Sequence, residues 1–225
     1  MKFSTLSSSA CWASSVSAAF DLNRAGAVSK APAGDSFTSA TGTFTVPALS
    51  GTSRLSIWIG IGDSADQKYV LGGGILFNST LSSFSAFFPG AATDTTAQVP
   101  VAGGNSITVT VAIEAGAGGG SVTIENTSQN KTTRQIIAAP AGVDPASLTA
   151  AMADWWVQAY QVRDGELVAP PSFGTVAFTA VNATTRSGGA VNLAKAGAYE
   201  IQGTSGQMYS KTTVSETGFE VRRLM

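Results

Sequence analysis

Apolar residues recur at every second position along most of this chain, and that spacing limits the possible folds more than any other feature. Between residues 106 and 114, Ile107, Val109, Val111 and Ile113 alternate with Ser, Thr, Ala and Glu. Successive side chains of a strand point to opposite faces, so a period of two predicts a β-strand with one buried face. The same alternation predicts further strands at 54–62, 121–126 and 175–181.

Turn residues separate these runs, and helical patterns are scarce. The glycine-rich stretch 116–120 lies between two alternating runs and predicts a hairpin. The helical candidate of any length is 144–152, which Asp144 and Pro145 would begin as N-cap and first helical residue. Many short strands without strand–helix alternation predict an all-β protein, an antiparallel β-sandwich in a single domain.

The amino-terminal residues are typical of an exported protein. Residues 1–19 begin with a positive charge at Lys2 and end in small residues, as a signal peptide does at its cleavage site. Residues 20–35 are rich in Ala, Gly and Ser and predict a linker or short propeptide, so the β domain is expected at 36–225. Sequons of the form Asn-x-Ser/Thr begin at Asn78, Asn126, Asn130 and Asn182. We therefore expect a secreted, extracellular protein.

Composition excludes several kinds of chemistry. The 225 residues include no His, and the one Cys, Cys11, lies in the predicted leader. Imidazole-based triads, His-ligated metals and internal disulfides are therefore excluded, and no cofactor is expected. Charged residues make up 12% of the chain and the net charge is −1, so a nucleic-acid-binding surface has no electrostatic basis. No apolar run approaches the ~18 residues of a membrane span, and no membrane partner is expected.

Several short motifs occur in an order that resembles a known family. They are Gly-Thr-Phe-Thr-Val-Pro at 42–47, Trp-Ile-Gly-Ile at 58–61, Leu71 with Gly74, Ile-Glu-Asn at 124–126, Ala-Asp-Trp at 153–155 and Phe-Gly-Thr-Val-Ala-Phe-Thr at 173–179. Each motif is ordinary β-sandwich sequence, but the ordered set resembles the glutamic peptidases, or eqolisins, from about residue 37 to residue 221. The resemblance implies two long bent sheets of the concanavalin A-like or jelly-roll type, whose concave face holds a peptide. It also implies a secreted, mostly fungal acid endopeptidase that needs no metal.

The family's catalytic pair is a glutamate and a glutamine. The carboxylate takes a proton from the attacking water, and the amide donates a hydrogen bond to the developing oxyanion. Aligned on the motif at 58–61, the glutamate falls on Asp154 and the glutamine on Gly72, while two other polar pocket positions fall on Gly62 and Ala86. A shorter acid retreats by roughly 1.5 Å, which costs on the order of 100-fold, and a lost oxyanion donor costs about 10²–10³-fold. The resemblance therefore implies weak or lost activity.

Two glutamines are candidate replacements for the lost amide. In a regular strand Gln67 would face away from the side on which Gly72 lies, because the two are separated by an odd number of positions. Gln158 shares the predicted face of Asp154 but would lie about 13 Å along the strand from it. Neither glutamine is well placed for this role.

The aromatic residues near these positions leave three roles open. Trp58, Phe84, Phe87 and Phe88 are candidates for an apolar groove, and the plain alternative is that they form the sandwich core. One role is a secreted glutamic-peptidase homologue with little activity on a peptide or protein. Another is a binding module that holds a peptide or a glycan without hydrolysis, and a third is a surface or wall protein whose groove binds nothing. In each case we expect a monomer.

Overall fold

The architecture is described from a computed structural model, which covers residues 18–63, 68–114, 118–144, 148–160, 162–163, 166–167 and 169–225. Its strands are β1 Ala19–Asp21, β2 Arg24–Lys30, β3 Phe37–Thr45, β4 Leu55–Gly62, β5 Val70–Asn78, β6 Thr80–Phe88, β7 Thr93–Asp94, β8 Ser106–Glu114, β9 Gly119–Asn126, β10 Lys131–Ala138, β11 Met152–Ala159, β12 Val162–Arg163, β13 Glu166–Leu167, β14 Thr175–Thr185, β15 Ala190–Val191, β16 Gly197–Ile201, β17 Ser210–Val214 and β18 Gly218–Arg223. A short 3-10 helix spans Leu193–Lys195.

Two large sheets pack face to face. The site sheet has the strand order β1-β16-β2-β11-β4-β5-β6-β7, and the back sheet has the order β10-β9-β8-β3-β14-β18-β17, with β15 beside β14. Pairing within them is antiparallel except between β1 and β16, and β12 pairs with β13 separately. The predicted all-β antiparallel sandwich is therefore confirmed.

The core between the sheets is built from alternate positions of the strands. On β4 every odd-numbered residue is at most 1% exposed and belongs to the central cluster. Trp155 of β11 faces the same way, and its indole N–H donates to the carbonyl oxygen of Thr41 on β3 at 2.9 Å. Burial of this apolar surface is the main source of stability, at roughly 25 cal/mol per Å².

The predicted strands agree with the observed ones to within a few residues at their ends. The strand predicted at 106–114 coincides with β8, and those at 54–62, 121–126 and 175–181 correspond to β4, β9 and β14. β8 and β9 pair as the predicted antiparallel hairpin. The alternation of apolar residues was a sufficient signal because each of these strands buries one face against the other sheet.

The expectation of a linker at 20–35 is wrong. β2 lies inside the site sheet between β16 and β11, and Ala25 and Ala27 are fully buried. Its small residues resemble a linker in composition, but they allow β2 to lie close beside β11, where a Cβ atom at Gly26 would overlap the carbonyl oxygen of Trp155. Ala19, at the end of the predicted leader, belongs to β1. The rest of the leader prediction concerns residues 1–17, which lie outside the described residues, and it stays a prediction.

The expectation of a helix at 144–152 is also wrong for its described part. Residues 148–151 are not helical, and Met152 begins β11. The carbonyl oxygens of Ala150 and Ala151 accept hydrogen bonds from distant backbone N–H groups, those of Phe37 and Ala31, at 2.8 and 2.9 Å. Ala150 also has φ of 51°, which a right-handed helix does not allow, and these long-range bonds hold the backbone there, so tertiary pairing overrides the local capping signal. Residues 145–147 lie outside the described part of the chain.

Candidate functional site

The outer face of the site sheet, which is the face turned away from the back sheet, carries the candidate residues. On β4 the even-numbered residues point outward, among them Trp58, Gly60 and Gly62, because the odd-numbered ones enter the core. Asp154 and Trp156 of β11 share this face, since Asp154 is in register with Gly60 and Trp156 with Trp58. The adjacent tryptophans 155 and 156 therefore point to opposite faces, as expected for neighbours in a strand.

A single row of the sheet brings together most of the residues predicted from the motifs. Asp154 is in register with Gly60, Gly60 with Gly72, and Gly72 with Ala86, on four neighbouring strands. Residues directly opposite each other in a sheet share a face. Strands lie about 4.8 Å apart, so the backbones at Asp154 and Gly72 are separated by roughly 10 Å. A side-chain amide at position 72 would point into the space above Asp154 and Gly60, and glycine leaves that space without one.

Asp154 is fully buried beside an apolar cluster. Its carboxylate is on the outer face, yet the residue is 0% exposed. An apolar cluster on the same face consists of Val28, Trp58, Val70 and Trp156, and Val28 is in register with Asp154 on the other side from Gly60. The acid therefore lies at the level of the sheet, covered by this cluster and removed from bulk solvent.

Two glycines of the row are closely covered. A Cβ atom at Gly60 would lie 2.6 Å from Trp58 Cζ3 and 2.9 Å from Val70 Cγ1, so these two side chains extend over the strand that separates Asp154 from Gly72. A Cβ atom at Gly72 would lie 2.6 Å from the carbonyl oxygen of Ile59. Any side chain at position 72 therefore requires the backbone of β4 or β5 to shift. No change of rotamer removes this contact, because the Cβ atom itself makes it.

A pocket of about 220 Å³ opens on the outer face beside Gly72. Its lining is mostly apolar and includes Trp58, Phe84, Ala86 and Phe88 as well as Gly72. Phe84 and Phe88 therefore belong to a groove, as one of the two alternatives predicted. Ala86 lines the same pocket, whereas Asp154 and Gly62 are not among the lining residues.

Two polar side chains stand at one end of the pocket. Trp58 Nε1 donates to Gln158 Oε1 at 2.9 Å. The hydroxyls of Tyr160 and Ser56 are hydrogen-bonded at 2.9 Å, and the Arg54 guanidinium lies 4.9 Å from the centre of the Tyr160 ring. Desolvation raises the pKa of Tyr160 above its usual value of 10, so this phenol stays neutral at any acidic or neutral pH. Sequence reasoning missed Tyr160, although it follows Gln158 by two positions and so continues its face.

On the side of Asp154 that is away from Gly60, the side chains of Trp156, Tyr199 and Arg24 pack against one another. The Trp156 ring meets the Tyr199 ring edge-on, with centroids 5.2 Å apart, and the Arg24 guanidinium lies 5.0 Å from the centre of the Trp156 ring. Asp21 holds Arg24 in place by a salt bridge at 2.6 Å. The open part of the outer face is therefore the side toward Gly72 and Ala86.

The prediction that Phe87 contacts a ligand is wrong, because Phe87 points into the core. Phe87 is 2% exposed and belongs to the central core cluster, because it is in register with the core residue Leu71. Period two, applied strictly from Phe84, would have placed 84, 86 and 88 on one face and 87 on the other. Gln67 lies outside the described residues, and β5 begins only at Val70, so the argument from strand position does not apply to it.

The described part of the chain contains neither a metal-binding cluster nor a helix that could span a membrane. Its Asp, Glu and Cys side chains form no group of three or more that would hold a metal ion. Among the described residues there is also no helix with the length and apolar character of a membrane span.

Comparison with known families identifies the family of this chain. The model of the peptidase A4 family matches residues 22–223, which is nearly the whole described domain. The chain therefore belongs to this family, and the resemblance to the glutamic peptidases is confirmed.

Individual relatives are distant but cover most of the chain. Aspergillopepsin-2 of Aspergillus niger is 28% identical over 223 residues, which covers 87% of this chain and 75% of that protein. The structure of scytalido-glutamic peptidase with a peptide-based transition state analog is similar with a TM-score of 0.76 and 22% identity, covering 91% of this chain and 99% of the other. The eqolisin SCP-B in complex with the tripeptide Ala-Ile-His has a TM-score of 0.73 and 20% identity over the same shares.

Proposed function

We propose that this protein is a secreted member of the glutamic peptidase family that holds a peptide on the outer face of its site sheet and has little or no hydrolytic activity. The observation that carries this proposal is Gly72. It lies in one row and on one face with Asp154, and it offers no side-chain amide. Loss of one oxyanion donor lowers the rate of acyl transfer by about 10²–10³-fold.

The position of Asp154 supports the same conclusion. A general base must reach the attacking water within about 3 Å, directly or through one further water. Asp154 is 0% exposed, and Trp58 and Val70 extend over the strand between it and Gly72. Both side chains would have to move before water and a peptide carbonyl could meet this carboxylate. Since aspartate is also one methylene shorter than glutamate, even the opened site would place the base short of its target.

Peptide binding is supported by the pocket and by the relatives. The pocket offers an apolar surface with hydrogen-bonding groups at one end, which is the usual composition of a small ligand site. Scytalido-glutamic peptidase was solved with a peptide-based transition state analog and SCP-B with a tripeptide. We therefore assign this chain a peptide or protein ligand whose apolar side chain occupies the pocket.

Digestion of a denatured protein at about pH 2–4 tests the loss of hydrolysis, because this range surrounds the usual pKa of carboxylates. The native chain, Asp154→Ala and Aspergillopepsin-2 as an active control are compared at equal concentration. We expect native and Asp154→Ala to cleave equally slowly, at least about 100-fold below the control. A Gln67→Ala variant is included, because Gln67 is a candidate replacement for the missing amide and lies outside the described residues. Cleavage at the control's rate that disappears in Asp154→Ala would contradict the proposal.

Calorimetric titration with apolar peptides tests binding separately. Phe88→Ala removes a side chain that lines the pocket and is 50% exposed, and Ile136→Ala removes one on β10 of the back sheet that is 62% exposed. We expect Phe88→Ala to weaken binding about 10-fold, or 1.4 kcal/mol, and Ile136→Ala to leave it unchanged. Equal affinities for native and Phe88→Ala would remove the pocket from the proposal.

The aromatic lining favours a glycan as a second candidate ligand. Trp58, Phe84, Phe88 and Tyr160 all line the pocket, and sugars stack on aromatic rings. An oligosaccharide array probed with the native chain and Phe88→Ala distinguishes the two ligands. Binding to sugars that Phe88→Ala weakens, without binding to peptides, would favour the glycan.

A further inference from the structure

The orientation of one amide in the pocket is determined by its neighbour. An indole N–H can only donate, so the Gln158 atom that it meets at 2.9 Å must be the carbonyl oxygen Oε1. The amide nitrogen Nε2 of Gln158 then carries two donors that Trp58 does not use. Among the residues that the structure describes, none accepts a hydrogen bond from this nitrogen.

Gln158 lies where its amide nitrogen would meet a polar group of a ligand in the pocket. Gln158 is half-buried, and it lines the pocket together with Phe84, Ala86 and Phe88. A carbonyl group brought into such a pocket loses its water and costs about 1–3 kcal/mol unless a donor meets it. A peptide backbone presents a carbonyl beside every side chain, so an apolar side chain cannot enter the pocket without one.

We propose that Gln158 Nε2 donates a hydrogen bond to a backbone carbonyl oxygen of the bound peptide, next to the apolar side chain that fills the pocket. Gln158 is a binding and positioning residue, because four positions of β11, about 13 Å, separate it from Asp154. Trp58 holds the amide in the donating orientation and thereby lowers the entropic cost of binding. This inference rests on the proposed peptide-binding function.

Two substitutions of Gln158 separate its donors from its shape. Gln158→Glu keeps an oxygen for the Trp58 N–H and removes both amide donors, but its carboxyl regains one O–H donor when protonated near its usual pKa of about 4.3. Gln158→Met keeps the length of the side chain and has no donor at any pH. Gln135→Glu changes a half-buried glutamine of β10 on the back sheet in the same way and serves as the control.

Calorimetric titration with one apolar peptide at about pH 3 and about pH 7.5 is the test. At pH 3 we expect the native chain and Gln158→Glu to bind with similar affinity and Gln158→Met to bind about 5–100-fold more weakly. At pH 7.5 Gln158→Glu should weaken by the same factor relative to the native chain, while Gln135→Glu should match the native chain at both values. Equal affinity of all variants would overturn the role of Gln158. Absence of binding by the native chain would instead contradict the proposed function.

The sequons carry a second inference, which depends on different observations. Asn126 is 0% exposed, and its Nδ2 donates to the carbonyl oxygen of Pro100 at 2.7 Å and to Asn105 Oδ1 at 2.8 Å. Asn182 is half-buried inside β14, in register with Thr41. A glycan on Asn126 would have no route to solvent without displacing these neighbours, and one on Asn182 would have to leave the middle of a paired strand between flanking side chains.

The other two sequons lie at hairpin turns. Asn78 is the exposed last residue of β5, and the turn that follows contains Ser79 with φ of 63°. Asn130 is exposed between β9 and β10 and itself has φ of 52°. Both side chains are exposed at hairpin turns, where an attached glycan would extend into water.

We infer that Asn78 and Asn130 are the positions of this fold that accept N-linked glycans. In this transfer the amide nitrogen of Asn bonds to the anomeric carbon of a lipid-diphosphate-linked oligosaccharide. The sugar–phosphate bond breaks, the lipid diphosphate leaves, and the nitrogen gives up one proton.

Secretion of the full chain from a eukaryotic host, followed by glycosidase treatment and mass spectrometry, tests this inference. We expect two glycans on the native chain, and one on each of Asn78→Gln and Asn130→Gln. The matched variants Asn126→Gln and Asn182→Gln should keep both glycans. A secreted chain without glycans, or one with a glycan at Asn126, would overturn the assignment.

Discussion

A few side chains decide what the outer face can do. Motif order alone predicted that Asp154, Gly72 and Ala86 belong to one site, and the register of β11, β4, β5 and β6 places them in one row. Sequence could not predict that Trp58 extends over Gly60, because a rotamer is chosen by packing and not by the period of the strand. It also could not predict the contact between the Gln158 amide and Trp58, because that contact depends on the register of β11 against β4.

Substitution of Gly72 tests how tightly β4 and β5 approach. We expect Gly72→Ala to lower the free energy of unfolding by about 1–3 kcal/mol, because the new Cβ would lie 2.6 Å from the carbonyl oxygen of Ile59. Gly197→Ala on β16 is the control, since its Cβ would meet nothing nearer than 3.5 Å. Urea unfolding of both variants is the measurement. Equal midpoints for native and Gly72→Ala would show that the row has room for a side chain.

The contact between a side chain at position 72 and the carbonyl oxygen of Ile59 also affects an attempt to restore the glutamate and glutamine of the family. Gly72→Gln with Asp154→Glu would supply both groups, but the glutamine must first move the backbone of β4 or β5. We expect the double variant to be less stable than the native chain and to regain only part of the activity, as measured by unfolding and by peptide cleavage at about pH 3. A stable variant with the full activity of a family member would show that the backbone relaxes freely.

Asp35 gives the fold a dependence on acid. The hydroxyl of Ser187 above all, donating at 2.6 Å, lowers the pKa of Asp35 from 3.8 to about 2, with further help from Thr185 and the Ser36 N–H. The folded pKa is below the unfolded one, so this carboxylate stabilises the fold above about pH 4, and the contribution is lost as pH falls toward 2.

Urea midpoints of Ser187→Ala at about pH 5 and about pH 2 check this dependence. The variant should be less stable than the native chain at pH 5, and the difference should shrink at pH 2, because about half of the native Asp35 is already protonated there. Ser215→Ala removes a hydroxyl that donates to the Gly218 carbonyl at 2.8 Å, and its effect should not vary with pH. A deficit of Ser187→Ala that is the same at both values would contradict the role of Asp35.

Among the strands, those with an alternating pattern were predictable and those without it were not. β4, β8, β9 and β14 bury one face each against a second sheet and so carry the period-two signal. β2 contains Ala25, Gly26 and Ala27 in succession and no alternating large apolar residues, which gives it the composition of a linker. The supposed helix at 144–152 has its start signals at Asp144, but backbone pairing with distant strands fixes the conformation of its later residues.

A charge placed in β2 distinguishes a strand from a linker. Ala27 is fully buried and in register with Trp155, so Ala27→Asp should destabilise the fold by about 3 kcal/mol or more. Lys30→Asp on the same strand is exposed and should change stability by less than about 0.5 kcal/mol. Thermal unfolding compares the two, and a tolerated Ala27→Asp would mean that β2 is dispensable to the sheet.

Taken as a whole, the molecule keeps the sandwich of its family but separates the acid from the pocket. Asp154 lies under an apolar cluster, and the pocket lies on the other side of Gly60, with Trp58 and Val70 between them. The alternation of apolar residues predicted the fold class, and the order of the motifs predicted the family, because both signals reflect how the backbone is arranged. Activity depends on a few atoms at one row, where Gly72 offers no side-chain donor.

The most direct measurement compares two affinities of the native chain. A protein that stabilises an oxyanion binds a transition-state analogue at least about 100-fold more tightly than the matching peptide. We predict that a peptide-based transition-state analogue and the corresponding unreactive peptide bind this protein with equal Kd at about pH 3, because position 72 offers no amide. A preference of 100-fold or more for the analogue would contradict the account. If that preference vanished in Gln67→Ala, it would identify the group that replaces the lost amide.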